Sequence, residues 1–419
     1  MRTIVEYAVF EPITHQTPLG GGAERVTGVS RFDAIFPLDV SRGSIPSGLP
    51  PKISAGYAET VRTVTDPKAA SAARDAGAIV LPIPRMPVRL IPQVSEANDA
   101  VPGEPWGVAA VGADRTGDLQ GQGVCVAVLD SGIDVNHPAF SGLIRDDNYV
   151  DFTRNGKEDN LRHGTHCAGI IFGRPIDGRR IAVAPGIQKV LIGKIADVGF
   201  ETTTSLLQEA MLWAVNNGAN IISLSFGLDF IAHFGRLQTG GVPSRVAQAQ
   251  ALNDYGDYTR QFDRLMTMVV SAGAAANSAL VIAACGNDSR QEDGMRVHAT
   301  LPAVAENVIS VGALGRNGDG SFSVAPFSNS GANLCGPGVG ILSAGVGGAS
   351  ATMSGTSQAA PHVAGVAALW MQKLRRDKGF APTPADIRQA LLSAAKPERI
   401  AGHDDPDAIG HGLAMAPTV

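Results

Sequence analysis

The stretch Gly355-Thr356-Ser357-Gln358-Ala359-Ala360-Pro361-His362-Val363-Ala364-Gly365 reads as a tight turn that opens into a helix. Gly355 permits close backbone approach, and the first-turn N–H groups of such a helix point to where a negative charge would form beside the Ser357 hydroxyl. Ala359, Ala360, Ala364, Gly365, Ala367 and Ala368 leave the helix almost without side-chain bulk, as burial against a sheet requires. Alone, the stretch fits a core helix with a capping hydroxyl as well as it fits the seat of a nucleophile. The decision lies upstream.

Gly123-Val124-Cys125-Val126-Ala127-Val128-Leu129 is a nearly continuous apolar run, as in a strand covered on both faces of a parallel sheet. It ends on Asp130-Ser131-Gly132, so a carboxylate crowns the strand's C-terminal edge. Further strands are expected at 189–195, 220–225, 279–285 and 307–312, with helices between them. Residues 202–217 carry Leu206, Ala210, Trp213 and Ala214 at helical spacing, with Gly218 as the stop. Tyr258, Phe262, Leu265, Met266 and Val269 form a second packing stripe. The pattern predicts an α/β fold, a parallel β-sheet flanked by helices. Such sheets bind ligands outside the carboxyl ends of their strands, which is where Asp130 and Asn287 fall.

His163-Gly164-Thr165-His166-Cys167-Ala168-Gly169 opens another small-residue helix. Two histidines at i and i+3 invite a metal, but a third ligand and the H-E-x-x-H context are missing, so no metal site is assigned. A histidine at a helix start can instead act as general base to a nearby hydroxyl. In chain order Asp130, His163 and Ser357 supply an orienting carboxylate, a base and a nucleophile, one of the orders in which that triad occurs. Serine is a poor nucleophile unless a base accepts its proton, which is the task this order gives His163.

Four segments carry a specific resemblance: Val128-Leu129-Asp130-Ser131-Gly132-Ile133-Asp134, the His163–Gly169 stretch, Ala284-Cys285-Gly286-Asn287, and the Gly355–Gly365 stretch. Together they resemble the signature motifs of subtilisin-like serine proteases, the subtilases, over roughly Pro105 to Leu413. The resemblance implies Asp130, His163 and Ser357 as the catalytic triad and Asn287 as the side-chain donor to the oxyanion. It implies Ser225, Phe226 and Gly227 as the strand that pairs with an extended polypeptide substrate. Residues 101–419 would then be the peptidase domain. Residues 1–100, a small α+β prosegment-like domain with its linker, would assist folding and act as an intramolecular inhibitor. The tail from Ile79 to Val94 is expected to pass near Ser225–Gly227 and to present the linker, Ser95 to Pro105, to Ser357.

The sequence also departs from the family. Many subtilases bind calcium in the loop after the histidine helix, but the matching places hold Ala139 and Ile176, with Arg174, Arg179 and Arg180 nearby. That site is expected to be lost, so no cofactor is expected. An insertion, residues 228–259, leaves directly from the substrate-pairing strand and fits either a lid over the groove or a surface excursion. Asp288, with Glu292 and Asp293, points to tolerance for a basic side chain next to the cleaved bond.

In the N-terminal region, Asp66-Pro67 is a helix start and Gly77 a stop, with strands to follow. Gly20-Gly21-Gly22 marks a loop. With 44% hydrophobic and 17% charged residues, the chain has apolar surface enough for a large core. A net charge of −5 without basic runs excludes nucleic acid and an anionic membrane as partners, and no apolar run reaches transmembrane length. The start, Met1-Arg2-Thr3-Ile4-Val5-Glu6-Tyr7, puts an acid where an export signal would be apolar. Cys125, Cys167, Cys285 and Cys335 lack C-x-x-C spacing and read as buried free thiols, so a cytoplasmic location is expected. Two rival readings remain: a catalytically silent peptide-binding protein, and a protease whose N-terminal region is a permanent binding domain.

Overall fold

The computed structural model describes residues 6–12, 57–64, 66–83, 86–92, 94, 104–199, 202–271, 278–402 and 404–418. The Gly20–Gly22 loop and most of the 95–105 linker lie outside the described residues. The chain divides into two compact units: residues 1–86 with 230–268, and residues 87–229 with 269–419.

In the first unit, β1 (Glu6–Pro12) pairs antiparallel with both β2 (Tyr57–Val64) and β3 (Ile79–Ile83), giving the order β2-β1-β3. The Pro67–Asp75 helix starts as its sequence directs, with the Asp66 side chain accepting from the Lys68 amide at 3.0 Å and proline at the first position. It buries Ala70 and Ala73 against Val9, Val64, Ala78 and Val80. β3 is an edge strand, where the N–H that Pro82 lacks weakens the ladder least. The insertion supplies two helices, Phe230–Thr239 and Ser244–Ser271. Tyr258, Phe262, Leu265, Met266 and Val269 are all buried, as their helical spacing predicts.

The second unit is organised on a sheet of eight strands. β5 (Cys125–Asp130) lies at its centre between β7 (Lys189–Lys194) and β9 (Ile221–Leu224). Outward from β7 comes β6 (Tyr149–Asp151); outward from β9 come β11 (Leu280–Ala284), β12 (Val308–Arg316) and, antiparallel, β13 (Phe322–Val324), with β14 (Leu334–Pro337) also on β12. All pairings but that of β13 are parallel. Every residue of β5 is buried, as a strand with both faces covered demands. β12 runs four residues beyond the sequence expectation because it gains two partners at that end.

Two helices set the site. His163–Phe172 is buried along its whole length, and Thr356–Lys378 is buried from Thr356 through Leu369. Their small residues allow this: a Cβ on Gly365 would come within 2.5 Å of Val183. A second sheet has the order β10-β4-β8, made of β4 (Pro87–Leu90), β8 (Thr202–Thr203) and β10 (Phe226–Leu228). The helix expected from residue 202 therefore starts at Thr204, with the Thr203 hydroxyl as its cap. A hairpin of β15 (Ile341–Ala344) and β16 (Ser350–Met353) completes the strands. All four cysteines are free and buried.

Candidate active site

β5 carries Asp130 to the carboxyl edge of the sheet, and the His163–Phe172 helix begins directly against it. A Cβ on Gly164 would collide with the Gly132 carbonyl and lie 3.2 Å from the Asp130 Cβ, so only glycine lets the helix start this close. His163 Nδ1 meets Asp130 Oδ1 at 2.7 Å, both side chains being buried. A carboxylate only accepts, so Nδ1 carries a proton, and in the neutral ring Nε2 is the acceptor. Burial alone would push the imidazole pKa down, but the Asp130 carboxylate more than reverses this and holds it well above the ordinary histidine value.

The pair is braced from behind. Ser131 donates its amide to Asp130 Oδ1 at 2.7 Å and its hydroxyl to Asp159 Oδ1 at 2.7 Å, while accepting from the Gly164 amide at 2.9 Å. The other Asp159 oxygen accepts from the Thr165 amide at 2.8 Å and hydroxyl at 2.6 Å. Asp159 thus clasps the end of β5 to the first turn of the histidine helix. Its burial raises its pKa, and the bonds from Thr165 and Ser131 offset only part of that rise. Behind the clasp lies Lys194, fully buried in β7 and opposite Asp130 in register. Its ammonium donates to the carbonyls of Gly156 at 2.8 Å and Glu158 at 2.6 Å and pairs with Asp197 at 2.9 Å. The loop that presents Asp159 is therefore tied down by one buried cation.

Ser357 lies buried in the first turn of the Thr356–Lys378 helix, and its Oγ has no hydrogen-bond partner among the described residues. The neighbouring Thr356 sends both its amide, at 2.9 Å, and its hydroxyl, at 2.8 Å, to Asn287 Oδ1. A backbone N–H can only donate, so this fixes the Asn287 amide with its nitrogen outward. Gly355 makes room for it, since a Cβ there would stand 2.8 Å from Asn287 Nδ2. That nitrogen donates at 2.8 Å to the carbonyl of Pro92.

Pro92 belongs to a stretch of chain laid across the site. β4 runs antiparallel to β10, with Leu90 opposite Phe226, Arg89 opposite Gly227 and Val88 opposite Leu228. Its other edge pairs with β8 through Val88 with Thr202 and Pro87 with Thr203. The Ile91 amide then donates to the Ser225 carbonyl at 2.9 Å, and the Val94 amide to the Ser354 carbonyl at 3.2 Å. The structure thus places Ser225, Phe226 and Gly227 in a strand pairing, as the sequence suggests. The carbonyl that meets Asn287 is that of Pro92, which precedes the 95–105 linker in the chain. Asp288 meets Arg89, three residues earlier in the chain than Pro92, at 2.5 Å, rather than a side chain beside that carbonyl.

Sequence reasoning missed Cys167. Its thiol donates to the Ser357 carbonyl at 3.3 Å and lies 3.7 and 3.9 Å from the two His163 ring nitrogens. The i, i+4 spacing from His163 on one helix was the available signal. Burial raises the thiol pKa, so it stays protonated and inert at neutral pH. Ligand-type atoms of Asp130, His163 and Cys167 lie within 4.8 Å of one another, but the direct Asp130–His163 hydrogen bond already uses the carboxylate and Nδ1 on each other. His166 is no ligand either: its Nε2 donates to the carbonyls of Ile341 at 3.0 Å and Ala351 at 3.1 Å, and burial pushes its pKa down to about 3.

In the loop where many subtilases bind calcium, the groups described are bonded within the protein. Ala139 offers no side-chain oxygen and its carbonyl accepts from the Arg174 amide at 2.9 Å, while Ile176 and Arg179 bond each other's backbones. Arg180 donates to the carbonyls of Ala182 at 2.9 Å and Val183 at 2.8 Å.

Comparison with known proteins agrees with this geometry. The profile of the subtilase family matches residues 121–412. The chain is 30% identical over 280 residues to the thermophilic serine proteinase of Bacillus sp. (strain AK1), covering 66% of this chain and 57% of that protein. It is 30% identical over 277 residues to the cuticle-degrading protease of Metarhizium anisopliae, covering 64% and 60%. It is 32% identical over 273 residues to Subtilisin Savinase of Lederbergia lenta, covering 64% and 84%. The chain thus spans about three fifths of the length of the first two relatives. A family match over most of the chain, on a sheet that sets Asp130 against His163 and turns Asn287 toward an extended strand, means that this protein belongs to the subtilases, the subtilisin-like serine proteases.

Proposed function

We propose that the chain is a serine endopeptidase whose groove is filled by its own N-terminal tail. The observation that carries this reading is the position of Pro92: a main-chain carbonyl held by the Asn287 amide, within a strand that pairs with Ser225–Leu228 as an extended substrate would.

The chemistry follows from the residues present. Ser357 Oγ attacks the carbonyl carbon of a bound peptide while His163 Nε2 takes its proton. Asp130 keeps Nδ1–H pointed at itself and stabilises the imidazolium. The carbonyl oxygen, now negative, is received by Asn287 Nδ2 and the Ser357 amide at the helix start. His163 then returns the proton to the departing amine nitrogen, leaving an acyl-enzyme. A water attacks that ester with His163 again as base, releasing the acid and restoring Ser357.

The N-terminal region, read as a prosegment over residues 1–100, inhibits by holding residues 87–92 in this groove. A tethered strand competes well because its effective concentration is on the order of mM. Wild-type chain should shorten in an intact-mass time course, whereas Ser357→Ala should keep its full mass, and a fluorophosphonate should label the first and not the second. Wild type that turns over peptides at full rate without shortening would make the N-terminal region a permanent domain. A chain that takes no label and cuts nothing would be the silent peptide-binding protein.

A further inference from the structure

The strand in the groove brings an arginine with it, and that arginine has company. Arg89 Nη2 lies 2.5 Å from Asp288 Oδ1, and its Nε lies 3.6 Å from Asp229 Oδ2. The two acids come from different walls: Asp229 directly follows β10, and Asp288 directly follows Asn287. Asp288 is fixed independently of the strand that carries Arg89. The Asp288 amide donates at 2.9 Å to Asn329 Oδ1, whose Nδ2 returns a bond at 3.2 Å to Asp288 Oδ2. Asn329 is buried, so one oxygen of the Asp288 carboxylate is held and the other is left facing the strand. The Asp229 amide donates at 3.0 Å to the Pro87 carbonyl, which ties it to the same strand. Val88 is buried, and the next residue, Arg89, lies half exposed between the two carboxylates.

We propose that Asp229 and Asp288 form a subsite for a basic side chain at the substrate position opposite Gly227, with Arg89 occupying it in the uncut chain. This rests on the reading of residues 87–92 as lying where a substrate strand lies. A guanidinium suits the place because its planar fork can address two carboxylates at once, and a lysine would reach only as a point charge. The enzyme would then select polypeptides by two marks, an apolar residue matching buried Val88 and a basic residue next to it.

The test uses the full chain and three internally quenched peptides in the order of residues 87 to 94, with Pro92→Ala so that the residue giving up its carbonyl is not locked by a proline ring. They differ only at the place of Arg89: arginine, alanine or glutamate. The arginine peptide should show kcat/KM about fivefold to tenfold above the alanine peptide, as two half-exposed ion pairs allow, and glutamate should fall below both. The ratio should shrink in 0.5 M salt, where such pairs are screened, and Asp288→Asn should bring it close to one. Asp229→Asn, a second variant, should lower it part of the way. Equal kcat/KM for the three peptides in a chain that a fluorophosphonate labels at Ser357 would overturn the subsite while leaving the protease. Absence of both labelling and turnover would remove the underlying reading, and the subsite with it.

Discussion

Asp130, Ser131, Asp159, His163 and Thr165 are buried and joined by hydrogen bonds of 2.6 to 2.9 Å, whereas across the groove Arg89 meets Asp288 and Pro92 meets Asn287, all four half or fully exposed. The physical consequence differs in kind. In the buried region a donor left without its acceptor cannot turn to water, so the geometry of base and carboxylate is fixed before substrate arrives. Over the groove the Arg89 and Asp288 side chains exchange with solvent at little cost, while a departing strand gives up ladder bonds and buried Val88 and Ile91, which only another extended apolar strand can replace. The proposed inhibition of the peptidase by its own chain would need both: a rigid base and a replaceable occupant.

The sharpest way to break the comparison is to remove the buried cation. Lys194→Met should cost about 3–5 kcal/mol of stability, because Asp197 and two carbonyls lose their partner in the interior. Urea or thermal unfolding measures it. The same variant should lower kcat, since the loop bearing Asp159 is then free to shift the Asp130–His163 pair, and adding Asp197→Leu should restore part of the stability. By contrast, Arg89→Ala should cost no more than about 1 kcal/mol, as partly exposed pairs do. Equal losses in the two variants would show that the rigid and replaceable regions are not distinct.

Next in size is Asn287→Ala. The nitrogen that now holds Pro92 is the one assigned to the oxyanion, so kcat on a peptide should fall by about 10²–10³ with little change in KM. The effect on KM decides the role: a rise in KM at constant kcat would make Asn287 a ground-state contact of the groove instead.

What the sequence shows of the site is what local chemistry demands. Asp130 at the end of an apolar run, His163 before Gly164, and Ser357 after Gly355 each sit where strand, helix start and tight turn follow from nearby residues, and four such motifs in order named the family. The N-terminal helix was legible for the same reason, through Asp66, Pro67 and Gly77. Contacts between distant segments were not. Lys194 looked like the end of one more strand, because its partners, Gly156, Glu158 and Asp197, lie in loops whose course no periodicity encodes. The meeting of Pro92 with Asn287 depends on register between β4 and β10, some 140 residues apart, and a shift of one residue would have seated another carbonyl. Asp288 was read as a neighbour of the cleaved bond because it follows Asn287 in sequence. In the fold it faces the residue opposite Gly227.

The smallest expected effect concerns the loop after the histidine helix, whose carbonyls are bonded within the protein as those of the rigid region are. A calcium ion would want several oxygens at about 2.3–2.6 Å. Here Arg180 already takes the carbonyls of Ala182 and Val183, the Arg174 amide takes that of Ala139, and the Ala139 and Ile176 side chains bring no oxygen. A ligand stabilises only in proportion to RT ln(1 + [L]/Kd), so without a site millimolar calcium adds nothing and EDTA removes nothing. The melting temperature of Ser357→Ala, used so that autolysis does not blur the transition, should stay within about 1 °C in EDTA or in 5 mM calcium. Arg180→Ala should lower it by several degrees, because two half-buried carbonyls lose their donor, a loss of about 1–3 kcal/mol. A melting temperature that falls in EDTA and returns with calcium, while Arg180→Ala changes nothing, would mean that an ion and not the arginine closes the rigid region.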